Sequence, residues 1–169
     1  MKRLVWLGLV GAMALAPLLA QELKYHAGFV KYTVSDDWKV VDDSATGQAL
    51  TDGTGNLRLE VFCIQRDRGE NSRHCLEETA EKKLTDVQYK DMEVFRINDL
   101  LQYHITGTGK LRDSGKAVEW SACWVQIEGQ NPDRQTITSN TVFWFQGESI
   151  LASQRDTMLN IYNSIAQDK

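Results

Sequence analysis

Few side chains in this sequence could do chemistry: three cysteines, Cys63, Cys75 and Cys123, and three histidines, His26, His74 and His104. Cys63, His74 and Cys75 lie near one another along the chain and could gather into a thiolate–imidazole metal site. Tetrahedral zinc needs a third or fourth ligand, and Asp67, Glu77 and Glu78 are generic acidic candidates. Oxidation is the competing chemistry. A Cys63–Cys75 disulfide would close a short polar loop and stabilise by about 3 kcal/mol if unstrained. Buried thiols acting as small apolar groups are the third reading. The disulfide is the one expected here, with no metal.

His104 and Cys123 could stand on neighbouring strands as base and nucleophile. Cys123, however, sits between Trp120 and Trp124 in an apolar run, where a thiol becomes less acidic and less reactive. It reads as a core cysteine, and no catalytic residue is assigned. Gly107-Thr108-Gly109-Lys110 is similar to part of a phosphate loop, but His104 replaces the first glycine and Leu111 the Ser/Thr. The segment also falls inside a strand pattern, which suggests a bulge. Asp52-Gly53-Thr54-Gly55-Asn56 lacks the spacing of a calcium loop and reads as a hairpin turn. No cofactor is expected.

Trp38, Trp120, Trp124 and Trp144, with Phe143 and Phe145, are many aromatics for one domain. They fill a core between sheet and helices, or they line a binding groove. If a surface binds a ligand, Trp120, Trp124 and Trp144 are the first candidates.

Residues 1–20, MKRLVWLGLVGAMALAPLLA, read as a bacterial secretory signal peptide. Lys2 and Arg3 precede the apolar run from Leu4 to Leu15, and cleavage is expected between Ala20 and Gln21. The run is too short to span a bilayer, so no stable membrane insertion is expected after cleavage. The expected location is the periplasm or the extracellular space. Removing the leader takes two of the 19 basic residues and none of the 23 acidic ones, so the remaining chain carries 17 against 23, or −6. That charge argues against nucleic acid as a partner.

The remaining chain, 21–169, reads as one domain. Strands are expected over 29–34, 38–41, 49–51 and 57–65, from alternating polarity and from the turn at 52–56. Ser72 is a plausible N-cap for a helix to about Val87, with an apolar stripe at Leu76, Ala80, Leu84 and Val87. Strands over 92–97, 101–111, 116–127 and 141–146 follow. The segment over 118–127 is apolar on both faces at its middle, which suggests a central strand covered on both sides. Met158, Ile161, Tyr162 and Ile165 fall at i, i+3, i+4 and i+7, the buried face of a second helix. The expected class is α+β: an antiparallel sheet of about six to seven strands flanked by two helices.

Three features resemble the PsbP/Mog1-like superfamily over roughly residues 25–166. They are the opening Tyr32-Thr33-Val34-Ser35-Asp36-Asp37-Trp38, the hairpin, helix and meander order, and the closing Met158-Leu159-Asn160-Ile161-Tyr162-Asn163-Ser164-Ile165. A proline usual near the opening turn is missing here. The resemblance implies an antiparallel sheet flanked by helices, and an accessory or binding role without enzymatic activity. It transfers no functional residue.

The expected function is therefore that of an exported envelope protein, without catalysis, that binds a protein partner or a small ligand. An immunity or inhibitor protein against a secreted toxin or hydrolase is the alternative, and an enzyme is the third class. An exposed, reactive Cys123 would favour the enzyme.

Overall fold

In the computed structural model, residues 20–64, 71–130 and 133–168 are described. The leader, Ala20 apart, the charged loop over 65–70 and the Asn131-Pro132 turn lie outside the described residues. No helix among the described residues is long and apolar enough to cross a membrane.

Among the described residues, eleven strands and two α-helices build the structure. They are β1 (Ala20–Tyr25), β2 (Val30–Ser35), β3 (Lys39–Ser44), β4 (Gly47–Thr51), β5 (Leu57–Cys63), α1 (Ser72–Lys83), β6 (Leu84–Tyr89), β7 (Glu93–Ile97), β8 (Leu100–Leu111), β9 (Ala117–Gln130), β10 (Thr136–Gly147), α2 (Ala152–Ser164) and β11 (Ala166–Gln167). The fold is α+β, and the strand count exceeds the expected six to seven. The extra strands are short or lie at edges, where alternation is weak.

An eight-stranded sheet runs β3-β4-β5-β10-β9-β8-β6, with β7 also pairing to β8. Its pairings are all antiparallel. A small sheet, β1-β2-β11, and helix α2 cover one face, and α1 covers the other. On the first face Leu57, Leu59, Val61, Cys123, Val125, Phe143 and Phe145 meet Val30, Tyr32, Ile161 and Tyr162. On the second, Trp120, Ala122, Trp124, Val142 and Trp144 meet Leu76 and Ala80. Strand β9 is thus covered on both sides, which accounts for its near-continuous apolar middle.

The first helix is shorter than its stripe suggests. It stops at Lys83, and Leu84 opens β6 rather than a fourth turn. Leu84 is buried in either geometry, so the apolar spacing does not discriminate between them. The edge of β8 does, because β6 satisfies its hydrogen bonds. The bulge expected at Gly107–Lys110 falls on the partner strand instead, between Thr85 and Gln88, with Asp86 at φ 51°. Gly107 has another task. A Cβ there would sit 2.1 Å from the Gln88 carbonyl oxygen and 2.7 Å from the Trp120 ring. The glycine lets the neighbouring strand and an indole close over β8, and no phosphate loop forms.

Asp52 ties the hairpin turn to α2. Its Oδ1 accepts from the backbone N–H of Asn56 at 3.0 Å and of Leu57 at 3.1 Å, and its Oδ2 accepts from Gln154 Nε2 at 3.0 Å. Burial alone would raise its pKa. The bonds from Gln154, Leu57, Thr54 and Asn56 outweigh that and hold the carboxyl below its ordinary value. A group with a depressed folded pKa adds stability above its unfolded pKa, about 4, and loses it as pH falls through the folded value. Asp52→Asn should therefore lower unfolding stability by about 1–3 kcal/mol at pH 7. Urea titrations should show the gap to wild type closing as pH falls below 4; a constant gap would contradict the carboxylate's role.

Candidate functional site

Alternation along β8 places Gln102, His104, Thr106 and Thr108 on the face toward α2, where β9 contributes Glu119 and Ser121. Helix α2 crosses this part of the sheet and leaves a cleft of about 270 Å³ between them. Ile150, Met158 and Leu159 wall one side, Phe95 of β7 the other, and His104, Ser121 and Tyr162 lie within it. An adjoining recess shares Lys90, Glu93, His104 and Thr106 and extends the cleft toward Asp91. The volume is just under the ~300 Å³ at which small-molecule sites usually begin. Phe95 and Leu159, 42% and 52% exposed, form an apolar rim.

The polar groups of the cleft form a connected network. Gln102, fully buried, donates Nε2–H to the Tyr162 carbonyl at 3.0 Å, which joins the sheet to the end of α2. Its Oε1 then faces His104 Nε2 at 3.0 Å and the Cys123 thiol at 3.5 Å, accepting from both. The His104 ring lies edge-on to Phe95 and Tyr162, with centroids 5.0 and 4.6 Å away. Tyr162 and Ser121 hydroxyls share a hydrogen bond at 2.9 Å. At the cleft's end Arg155 donates to Glu119 at 3.0 Å and to the Ile150 carbonyl at 3.2 Å.

Burial pushes His104, Cys123 and Tyr162 toward their neutral forms. His104 is lowered to about 4. The Cys123 thiol is raised well above its ordinary value. Tyr162 is also raised, first by burial and then by the Cys123 sulfur, against the opposing bond with Ser121. His104 and Cys123 are indeed cross-strand partners, as a base and a nucleophile would be. Yet at neutral pH the pair is imidazole and thiol, not imidazolium and thiolate, and both bond to one amide oxygen. The arrangement suits recognition better than proton transfer.

Of the other candidates, Trp120 borders the cleft from strand β9, while the indoles of Trp120, Trp124 and Trp144 lie elsewhere. Trp120, Trp124 and Trp144 are at most 1% exposed and lie on the opposite sheet face, beneath α1. Trp120 and Trp144 stack at 4.8 Å, worth about 1 kcal/mol beyond area burial, and Lys83 Nζ stands 5.7 Å from the Trp144 ring. Trp120 Nε1–H goes to the Thr108 carbonyl and Trp144 Nε1–H to Gln146 Oε1. Their indoles are core, and the groove expected there is filled by helix α1. The expected Cys63–Cys75 bridge is not formed. Cys63 shares the face of Leu57, Leu59 and Val61, where its sulfur meets Ser139 Oγ at 3.2 Å. Cys75 lies on α1, beside Phe62 and Ile64 of the other face. The sheet stands between the two, so they share neither a bond nor a zinc ion. The signal for this was present, since β5 alternation assigns Cys63 to the Leu57 face. What was missing was the side on which the helix docks. Sequence reasoning missed Gln102, Ser121 and Phe95; the period-two run Gln102-His104-Thr106-Thr108 on one strand face was the available clue.

Comparison with known proteins agrees with this architecture. The solution structure of cyanobacterial PsbP (CyanoP) from Synechocystis sp. PCC 6803 superposes with a TM-score of 0.56 at 11% identity, covering 94% of this chain and 98% of that one. The fold is PsbP-like. A second structure of this kind is LpqN of Mycobacterium tuberculosis, described as involved in cell envelope biogenesis, with a TM-score of 0.52, 14% identity, and coverage of 90% and 86%. No protein-family profile and no curated protein matches the sequence. At these identities the PsbP-like likeness concerns the fold alone. The extended network around Gln102 is therefore argued from this chain's own residues.

Two measurements check the site. His104 has a folded pKa near 4 and an unfolded one near 6.5. Its neutral burial contributes fully above 6.5 and is lost progressively as pH falls toward 4, by about 3 kcal/mol. Wild-type stability should drop across that window, and His104→Phe should flatten the drop. Iodoacetamide on the folded chain should label the exposed Cys63 and spare Cys123; an unreactive Cys63 would contradict its exposure.

Proposed function

We propose that the chain is an exported cell-envelope protein that works by binding, without catalysis, and that the cleft beside α2 is its binding surface. The observation that carries this reading is the cleft itself: a preformed space with an apolar rim, beside which burial holds His104, Cys123 and Tyr162 neutral. Catalysis by proton transfer at neutral pH favours groups whose pKa lies near 7, and burial moves His104, Cys123 and Tyr162 away from it. A binding site needs fixed hydrogen-bonding groups beside apolar walls, and neutral ones serve. The leader over 1–20 supports export to the periplasm or beyond. The description of LpqN as a protein of envelope biogenesis is compatible with an accessory role.

The test is site-specific photocrosslinking in bacteria that make the intact chain. A photoreactive side chain at Leu159, on the rim, should trap an envelope component. The same group at Val40, exposed on edge strand β3, should not. Thr106→Trp fills the cleft and should abolish the Leu159 adduct while circular dichroism stays unchanged. Equal adducts from Leu159 and Val40, or adducts indifferent to Thr106→Trp, would place the binding surface elsewhere.

A further inference from the structure

His104 is only 8% exposed, and one of its ring nitrogens makes no hydrogen bond among the described residues. Gln102 determines which one. Its Nε2 is committed to the Tyr162 carbonyl, so Oε1 faces the imidazole, and a carbonyl oxygen requires a protonated nitrogen opposite it. His104 therefore carries its hydrogen on Nε2. The lone pair resides on Nδ1, the acceptor left over in a side chain that lines the cleft. Nδ1 is not sealed in the core but opens to the cleft, so a donor on a guest can take the place of water there.

The surroundings narrow what that donor belongs to. Phe95, Ile150, Met158 and Leu159 supply flat apolar walls. Arg155 is engaged by Glu119 and by the Ile150 carbonyl, which leaves its charge matched. Lys90 and Glu93 are both exposed at the mouth and oppose each other in sign. Nothing inside selects for a charged guest, and desolvating one there would be unfavourable. The cleft proper, about 270 Å³, suits a small guest, and the recess beside it offers Lys90, Asp91 and Glu93 rather than an apolar seat.

We propose that the cleft is a binding site for a small, uncharged amphiphile: a flat apolar body seated between Phe95, Met158 and Leu159, with one N–H or O–H donor bonded to His104 Nδ1. The proposal rests on the cleft being the binding surface, and it adds the ligand's class and the residue that reads it.

Indole, N-methylindole and indene test it. Indole and indene have nearly the same shape, and only indole has the N–H; N-methylindole keeps the heterocycle and loses the donor. Each is titrated into the intact 15N-labelled chain while amide shifts are followed. Indole should shift amides of Phe95, Thr106, Ser121 and Leu159 and bind about fivefold tighter than indene, the worth of about one net hydrogen bond. N-methylindole should lose the same factor with no change to the protein. His104→Phe keeps an aromatic ring and removes the acceptor, so indole and indene should then bind alike. Equal affinities of all three probes in the intact chain overturn the donor rule while leaving the cleft as a binding surface. An absence of cleft shifts with every probe overturns the small-amphiphile site, and the Leu159 crosslinks then judge the surface independently.

Discussion

The central strands β9 and β10 are buried on both faces, and that double burial constrains everything placed around them. A strand covered on one side needs only every second residue to be apolar. Here both sets must fill a core, so Cys123, Val125, Phe143 and Phe145 pack toward α2 and the small sheet, while Trp120, Trp124 and Trp144 pack toward α1. The two layers are not equivalent. The α1 side holds large indoles, which need close approach and accordingly a glycine at Gly107. The α2 side holds the buried amide, imidazole and hydroxyl network, and there the helix does not seal the sheet.

Incomplete sealing is what gives the cleft its character. Gln102 is a fully buried amide, and each of its atoms is committed: Nε2 to the Tyr162 carbonyl, Oε1 to His104 and Cys123. Such a network stabilises only when complete, because a lone buried polar group costs more than a made bond returns. One side chain thus anchors α2, sets the imidazole tautomer and accepts from the thiol, which burial keeps protonated. The same burial that makes the network effective removes His104 and Cys123 from acid–base chemistry at neutral pH. Recognition and catalysis ask for different pKa values, and the packing favours recognition.

Much of this was legible in the residues. The α+β class, the antiparallel hairpins, the turn at Asp52 and the buried stripe of α2 follow from periodicity and turn chemistry, which are local. The end of α1 was not, because Leu84 satisfies a helical stripe and a strand interior equally; the unpaired edge of β8 decides. Strands β1 and β11 were missed for a related reason, since their pattern is short and their burial comes from β2.

The candidate site divides along the same line. Sequence alone determined which residues share a strand face: Cys63 with Leu57, Leu59 and Val61, and Trp120 with Trp124. Alternation needs no knowledge of the partner layer, since successive Cβ atoms must point to opposite sides. Which face receives α1 and which receives α2 is a long-range choice, and only the tertiary structure decided it. That choice separated Cys63 from Cys75 by the thickness of a sheet. It buried the tryptophans under one helix, and it left His104 beside the gap under the other.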